Sequence, residues 1–288
     1  MNGVLIIDKP AGWTSMDVCA KLRGVFHEKR VGHGGTLDPM ATGILPVFLG
    51  RATRAVEFAT DSHKEYHAGL RLGVVTDTQD TTGTVLEQHP VAATRQDVEK
   101  MLPRFTGPLE QIPPMYSAVK KDGKKLYELA RKGIEVERKS RHIVIEELEL
   151  TEQTDENTYT LRVLCSKGTY VRTLCHDLGQ ALGCGGCMCS LRRTMAAGYT
   201  LADAVTLDEV LSAPDPTVFL RGVDTCFSSF PSLTIEGRDL FRARNGNPFP
   251  CKAAGGTYRV YDSDGNFLLL GECRGGMMTT VKSFFEVT

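Results

Sequence analysis

The sequence predicts an α+β fold, with a mixed, mostly antiparallel sheet flanked by helices and a small β-rich module at the C-terminal end. Strand-like and helix-like patterns do not alternate as β-α-β units, so a purely parallel sheet is not expected. The proline-containing stretch 213–216 and Pro231 separate the main part of the chain from several short strand patterns. We therefore expect a main domain over residues 1–230 and a module over residues 231–288.

The composition is that of an ordinary globular protein. Of 288 residues, 41% are hydrophobic and 24% are charged, which excludes disordered, collagen-like and coiled-coil chains. No apolar run approaches the roughly 18 residues of a membrane span, and the start at Met1 lacks a basic segment typical of signal peptides. Nine cysteines, an odd number, indicate free thiols in a reducing compartment. We expect a cytoplasmic monomer that does not contact membranes.

The first elements follow from short apolar runs and turn residues. Residues 4–7 are continuously apolar, as in a buried strand, and the turn-forming stretch 8–12 follows them. Apolar residues at helical spacing predict a helix over residues 16–26. Glycine, threonine and proline dominate residues 32–43, which predicts a loop before a second buried strand over residues 44–49.

The later elements of the main domain have clearer periodicity. Apolar and polar residues alternate over residues 66–74 and again over 158–165, which predicts two strands with one buried face each. A helix is predicted between them, over residues 94–102. Residues 169–182 carry the apolar stripe of an amphipathic helix.

The C-terminal module is predicted to contain one helix, over residues 237–244, and three strands. Two of the strands, 258–261 and 267–270, flank a turn at residues 262–265, and the last strand covers residues 277–287. At roughly 50 to 60 residues, the module is near the lower size limit for independent folding.

Positive charge is concentrated in residues 120–141. This stretch contains nine basic and four acidic residues, a net charge of +5, and because the whole chain carries −1 the remainder carries −6. A local basic patch on a near-neutral protein suggests contact with a polyanion. On charge alone, a solvated helix face explains the pattern equally well. The lysines that begin the stretch are Lys120, Lys121, Lys124 and Lys125.

The loop at residues 32–43 holds the densest group of residues suited to chemistry. Pro39 disfavours helical geometry at Asp38, and the glycines of the loop allow a ligand to approach the backbone closely. Asp38 is therefore a candidate nucleophile or base. For an isolated Asp-Pro, a turn in which the carboxylate bonds to nearby amides is the more ordinary explanation. The chain contains no P-loop, no zinc-protease motif and no Gly-x-Ser-x-Gly elbow.

Two further segments, taken with this loop, resemble a known family. Residues 8–15 read Asp-Lys-Pro-Ala-Gly-Trp-Thr-Ser, and residues 166–174 read Ser-Lys-Gly-Thr-Tyr-Val-Arg-Thr-Leu. With the Asp38 loop they resemble the three motifs of the pseudouridine synthases, and most closely those of the TruB family, which modifies the uridine at tRNA position 55. Residues 114–127 are similar to the RNA-clasping insertion of that family, expected here over about 105–145. The C-terminal module resembles its PUA-type RNA-binding appendage.

The resemblance implies the pseudouridine synthase fold and a role for each matching residue. Asp38 corresponds to the catalytic aspartate, Arg172 to its ion-pair partner, and Tyr66 to the tyrosine that stacks on the target base and is a candidate for proton transfer. The other residues implied to serve the substrate site are His33, which helps to prise out the base, Tyr170, Leu191 and Asp80, which complete the pocket, and Lys9 with Pro10, which support the catalytic loop. The lysines at 120, 121, 124 and 125 are implied to bind RNA.

Taken one at a time, several of these residues have simpler explanations. Tyr66 alone would be a core residue of its strand, and His33 would be a turn residue. Arg172 alone would form a surface ion pair with Asp177 or with a neighbouring strand. Cys184, Cys187 and Cys189 could supply zinc ligands, but no second Cys-x-x-Cys pair occurs, so buried thiols and no metal are expected.

The chemistry of the implied reaction fits these residue types. Breaking a glycosidic bond develops positive charge on the sugar, and one ionised carboxylate can stabilise or trap that charge. An arginine beside a buried carboxylate lowers its pKa and so keeps it ionised. Nothing is oxidised and no group is imported, so no cofactor is expected. The sequence leaves open whether the carboxylate attacks C1′ or a glycal-type elimination occurs.

We therefore expect a cofactor-free enzyme that isomerises uridine in the T-arm of tRNA, without an obligate protein partner. Three alternatives remain: a tRNA-binding or tRNA-folding protein with a minor catalytic role, a synthase acting on another RNA or with a guide RNA, and a glycoside hydrolase. The set of Asp38, Tyr66 and Arg172 favours an enzyme, because binding alone does not require the carboxylate. No second acidic residue lies in a comparable motif, which disfavours the glycosidase.

Overall fold

The computed structural model describes residues 1–285, so the end of the predicted strand 277–287 lies outside the described residues. The helices are α1 (Ser15–Phe26), α2 (Val56–Asp61), α3 (Arg95–Met101), α4 (Leu126–Ala130), α5 (Val171–Ala181), α6 (Leu207–Ser212) and α7 (Gly237–Arg244). The strands are β1 (Gly3–Lys9), β2 (Val31–His33), β3 (Thr42–Leu49), β4 (Lys64–Leu72), β5 (Val74–Thr76), β6 (Val85–Gln88), β7 (Gly107–Gln111), β8 (Lys120–Lys121), β9 (Lys124–Lys125), β10 (Arg141–Asp155), β11 (Thr158–Cys165), β12 (Gly186–Ala196), β13 (Tyr199–Thr200), β14 (Val205–Thr206), β15 (Ser232–Thr234), β16 (Phe249–Pro250), β17 (Gly256–Tyr261), β18 (Phe267–Arg274) and β19 (Met277–Ser283).

The main sheet has ten strands, eight of them in the order β14-β1-β3-β12-β4-β11-β10-β7. Strand β2 pairs with β3, and β13 pairs with β12. Of the pairs that form this sheet within the described residues, β1–β14 and β3–β12 are parallel and the others are antiparallel. The prediction of a mixed, mostly antiparallel sheet with helices is therefore confirmed.

Helices cover both faces of this sheet. On one face, α3 and α5 pack on β4, β10 and β11 around buried residues such as Leu70, Leu161 and Leu174. At the β1–β3 end, α1 and α6 bury another apolar group that includes Leu5 and Leu22. Helix α1 begins at a capping box, in which Thr14 and Asp17 satisfy each other's backbone amides.

The predicted strand 66–74 differs from the observed one for a local reason. Strand β4 begins earlier, at Lys64, and ends at Leu72, because Gly73 has a φ of 84° and turns the chain into β5. The predicted loop 32–43 is shorter than expected, since β2 extends to His33 and β3 begins at Thr42.

Sequence periodicity did not reveal the central strand β12. It pairs with both β3 and β4, yet its sequence runs Gly-Cys-Met-Cys-Ser-Leu-Arg-Arg-Thr-Met-Ala and shows no regular apolar alternation. The pattern fails because the charged Arg193 is buried beside a cleft and because the pairing with β4 shifts register twice, between Met188 and Ser190 and between Arg193 and Met195. The basic lysines also differ from the helix-face interpretation, since they form the β8–β9 hairpin.

The C-terminal part forms a five-stranded sheet in the order β15-β17-β18-β19-β16, together with α7. It shares an apolar core with the main sheet: Phe58 of α2 packs edge-on against Phe227, which in turn contacts Phe284. Lys282 also pairs with Glu57 of α2 at 2.6 Å. The boundary at residues 230 and 231 stays a prediction. No helix within residues 1–285 has the length and apolar character needed to cross a membrane.

Candidate active site

A cleft of 1310 Å³ opens at the junction of four parts of the main domain. These are the loop between β2 and β3, the strands β4 and β12, the start of α5, and the segment that follows β7. The turn between β5 and β6, which carries Asp80, also contributes to the wall. Of the residues predicted from the sequence, those that line the cleft are Asp38, Tyr66, Asp80, Tyr170, Arg172 and Leu191. His33, Lys9 and the four hairpin lysines are not among the lining residues.

The loop that carries Asp38 is held by the first motif. Lys9 is fully buried, and its ammonium donates to the carbonyls of Pro10, Trp13 and Pro39 at 2.8, 2.7 and 3.3 Å. Ser15 accepts a hydrogen bond from the amide of Leu37 at 2.9 Å. Lys9 therefore lies behind the loop and supports it, while burial lowers the pKa of its ammonium to about 8.

Arg172 projects from the first turn of α5, whose start is fixed by a side chain from β7. Gln111 accepts from the amide of Tyr170 at 2.8 Å and donates to its carbonyl at 3.1 Å. Arg172 meets Asp38 through two contacts, Nε to Oδ2 at 3.0 Å and Nη2 to Oδ1 at 3.4 Å. The pair has the fork geometry that gives arginine–carboxylate contacts their strength and direction. It replaces the surface pair with Asp177, because Arg172 is only 6% exposed.

The same guanidinium serves a second carboxylate. Its Nη1 lies 3.4 Å from Oδ2 of Asp80, which is itself buried and accepts hydrogen bonds from Thr78 and Thr82. Arg172 also donates to the carbonyls of Thr78 and Tyr116, at 3.2 and 2.9 Å. All of these contacts leave Arg172 little freedom to move, so it holds a fixed position beside Asp38.

Asp38 itself remains accessible from the cleft, with 34% of its side chain exposed. Burial raises the pKa of Asp38 above its ordinary value, Arg172 opposes that rise, and the nearby charge of Asp80 adds to it. This net direction differs from the lowered pKa expected from an arginine partner alone. The reason is that burial, the largest cause, outweighs the effect of the Arg172 guanidinium, which Asp38 also shares with Asp80.

Tyr66 lies on β4 between β11 and β12, where it is largely buried but lines the cleft. Burial raises the pKa of its phenol, so the hydroxyl keeps its proton at neutral pH. Leu191 reaches the same cleft from β12, where it pairs in register with Ala68. His33 is half-buried, and burial lowers the pKa of its imidazole, so it is neutral at physiological pH.

Sequence reasoning missed two buried cations that also line the cleft, Lys64 and Arg193. The Lys64 ammonium donates to the carbonyls of Ala59 and Thr60 at the end of α2, and burial lowers its pKa to about 8. Arg193 donates through Nε to Ile44 at 2.6 Å and through Nη2 to Gly35 at 3.1 Å. The available signal for Arg193 was the Arg-Arg pair at residues 192 and 193, directly after Leu191, which the family resemblance implies for the pocket.

Cys184, Cys187 and Cys189 lie at and just before the start of β12 and are not among the residues that line the cleft. Cys184 and Cys187 are buried and Cys189 is partly buried, and all three are free thiols. Burial raises the pKa of Cys187 to about 11, so this thiol is protonated at neutral pH. Within residues 1–285, no group of three or more His, Cys, Asp or Glu side chains is arranged to hold a metal ion.

Comparison with known protein families identifies the family of the chain. The family described as "TruB family pseudouridylate synthase (N terminal domain)" matches residues 23–171, and "tRNA pseudouridylate synthase B C-terminal domain" matches residues 172–216. The chain belongs to the TruB family. This membership confirms the expectation from the motifs that the chain is a pseudouridine synthase, an isomerase.

The TruB relatives match over almost their whole length. A protein named tRNA pseudouridine synthase B from Azoarcus sp. (strain BH72) is 42% identical, covering 96% of this chain and 93% of its own. A protein of the same name from Clostridium kluyveri is 39% identical, covering 99% and 100%. Among solved structures, a Cbf5-Nop10-Gar1 complex contains a chain with a TM-score of 0.75 at 24% identity, covering 99% of this chain and 85% of that one. This last likeness supports the fold.

Proposed function

We propose that this protein converts uridine to pseudouridine in tRNA, at position 55 of the T-loop. The observation that carries the proposal is the paired contact between Arg172 and the accessible carboxylate of Asp38, in a cleft whose wall includes Tyr66. The relatives named tRNA pseudouridine synthase B support tRNA as the substrate.

The reaction begins when the target base leaves the RNA stack and enters the cleft. An enzyme that acts on a base takes it out of the helix and holds it by stacking. Tyr66 offers an aromatic face and Leu191 an apolar contact, and both line the cleft with Asp38. His33 lies at the end of β2, just before the catalytic loop, where it can occupy the space that the base leaves.

Asp38 then acts on the sugar. As the bond between N1 and C1′ breaks, positive charge develops at the sugar, and the carboxylate stabilises or traps it. Direct attack at C1′ and a glycal-type route both require an ionised carboxylate. Because burial raises the pKa of Asp38, its charge depends on the Arg172 guanidinium. The base rotates and C5 bonds to C1′, after which C5 loses its proton.

The RNA backbone is held outside the cleft. The segment after β7 carries the β8–β9 hairpin, where the Lys120 and Lys124 side chains are exposed. The same segment provides Tyr116, whose carbonyl accepts a hydrogen bond from Arg172. The insertion over about 105–145 therefore connects the phosphate-binding lysines to the catalytic arginine. In this proposal, the C-terminal PUA-like sheet provides a further RNA-binding surface.

The deciding experiment follows the hydrogen at C5. Bulk tRNA containing 5-tritiated uridine releases its label only when C5 bonds to C1′. We expect the protein to release tritium from such tRNA. It should release none from a single labelled tRNA in which position 55 is cytidine. A tRNA-binding or tRNA-folding protein without this activity would bind the RNA and release no label.

A further inference from the structure

Arg193 is a buried cation without a carboxylate partner. It is 1% exposed and is one of the largest fully buried side chains in the protein. Its guanidinium donates to the carbonyls of Ile44 and Gly35, and no carboxylate within residues 1–285 forms an ion pair with it. A buried charge is costly unless it is paired, so its position requires an explanation.

Tyr66 is a titratable residue of the cleft that faces Arg193 across the sheet. The two residues are directly paired across β12 and β4, and side chains at paired positions lie on the same face of a sheet. Both residues line the cleft. Arg193 also lowers the pKa of Tyr66, although burial raises it by more.

The other cations near Arg193 are already committed to backbone carbonyls. Lys64 donates to the end of α2, and Lys9 to the backbone of the first motif and of the catalytic loop. Arg193 Nη1, in contrast, has no hydrogen-bond acceptor within residues 1–285. It lies close to Gly35, which lines the cleft, since a Cβ added to that glycine would be 3.4 Å from this nitrogen. Arg193 therefore retains donor capacity on the side of the cleft.

The reaction creates a need for such a cation. In forming pseudouridine, C5 loses a proton and N1 gains one. If the Tyr66 hydroxyl gives its proton to N1, the resulting phenolate can take the proton from C5 once the bond between C5 and C1′ exists. Tyr66 is then neutral again, and no proton is gained or lost overall. The intermediate phenolate is buried and needs a fixed positive charge.

We propose that Arg193 is the residue that stabilises negative charge on the Tyr66 oxygen during this proton transfer. It is a positioning residue, since it acts through Tyr66 and not on the nucleotide. The inference rests on the proposed function, because it concerns a step of the same reaction.

The test combines three variants with an isotope effect. Arg193→Met removes the charge and Arg193→Lys keeps it without the planar fork, while Arg192→Met is the matched control. Arg192 is the neighbouring residue on β12, and its guanidinium pairs with Asp8 at 2.7 Å. Single-turnover rates are measured at saturating tRNA that carries either ordinary or 5-deuterated uridine, after thermal melting and tRNA binding have verified that each variant is folded.

We expect R193M to slow single turnover on the order of a hundredfold, as for loss of one preorganised charge stabiliser. Its isotope effect should exceed that of the wild type, because proton removal from C5 becomes the slow step. R193K should lose less of the single-turnover rate than R193M, with the same increase in isotope effect. If R193M does not fold, R193K alone provides the test. R192M should resemble the wild type in both quantities.

Two results would overturn the inference. The first is a single-turnover rate in R193M equal to that of the wild type. The second is a slower R193M or R193K variant whose isotope effect is no larger than that of the wild type. This second result would indicate that Arg193 acts before proton transfer or in folding alone. Failure of the proposed function is distinct from both, because the wild-type protein itself would then form no pseudouridine.

Discussion

The cleft and the β8–β9 hairpin both depend on basic residues, but they hold them in opposite ways. In the cleft, Arg172 is buried and each of its three nitrogens has a partner. In the hairpin, Lys120 and Lys124 are exposed, and neither side chain makes a hydrogen bond or ion pair within the described part of the chain. A fixed charge can act on one atom of a substrate, whereas a free charge can follow a mobile phosphate backbone. We therefore expect the cleft to control chemistry and the hairpin to control affinity.

The largest effect should come from the one carboxylate that the cleft exposes. Asp38→Asn keeps the shape of the side chain but removes its charge, so turnover should fall on the order of 10⁴-fold or more. Affinity for tRNA should change little, since the hairpin is intact. Tritium release measures the first quantity and filter binding the second. Retention of more than a few per cent of turnover would show that Asp38 is not the catalytic carboxylate.

Arg172→Lys should have the next largest effect. A compact ammonium cannot reproduce the two-point contact with Asp38 while also reaching Asp80, so we expect a loss on the order of a hundredfold. The pKa of Asp38 is already raised by burial, and a weaker partner allows it to rise further. Activity requires the ionised form, and so it is lost as the pH falls through that pKa. The acidic limb of the pH–rate profile should therefore move to higher pH, and an unmoved limb with near-normal turnover would exclude the pairing.

Charge reversal in the hairpin should act on a different quantity. Replacing Lys120, Lys121, Lys124 and Lys125 with Glu should weaken tRNA binding strongly at low salt. Each lost phosphate contact should flatten the slope of log affinity against log salt by about 0.7 to 0.9. Single-turnover rates at saturating RNA should change much less. Binding titrations at three salt concentrations test this, because a solvated surface without a ligand would keep both the affinity and the slope.

The smallest predicted effect distinguishes lysines within the hairpin. Lys121 is already bonded to the Glu137 carbonyl at 2.7 Å, and Lys125 lies over the Tyr127 ring. Lys120 and Lys124 are free to reach phosphate. Neutralising Lys120 or Lys124 to Gln should therefore reduce the salt slope more than the same change at Lys121 or Lys125. Equal changes in the salt slope at all four positions would mean that the existing contacts of Lys121 and Lys125 do not keep these two side chains from binding phosphate.

The two regions also differ in how far they could be predicted from the sequence. The motifs located Asp38, Tyr66 and Arg172, and periodicity located α1, α5 and β11, because each has a local pattern. Arg193 and the sharing of Arg172 between Asp38 and Asp80 could not be predicted in this way. They arise from contacts between strands and loops far apart in the chain, and a buried arginine breaks the apolar alternation from which strands are recognised.

The separation of chemistry from affinity is the central claim, and measuring both quantities on two variants tests it most directly. Asp38→Asn and the fourfold hairpin variant are each assayed for tRNA affinity at low salt and for single-turnover tritium release at saturating tRNA. The account predicts that Asp38→Asn retains affinity and loses release, and that the hairpin variant loses affinity and retains release. If either variant lost both quantities together while remaining folded, the division between cleft and hairpin would be contradicted.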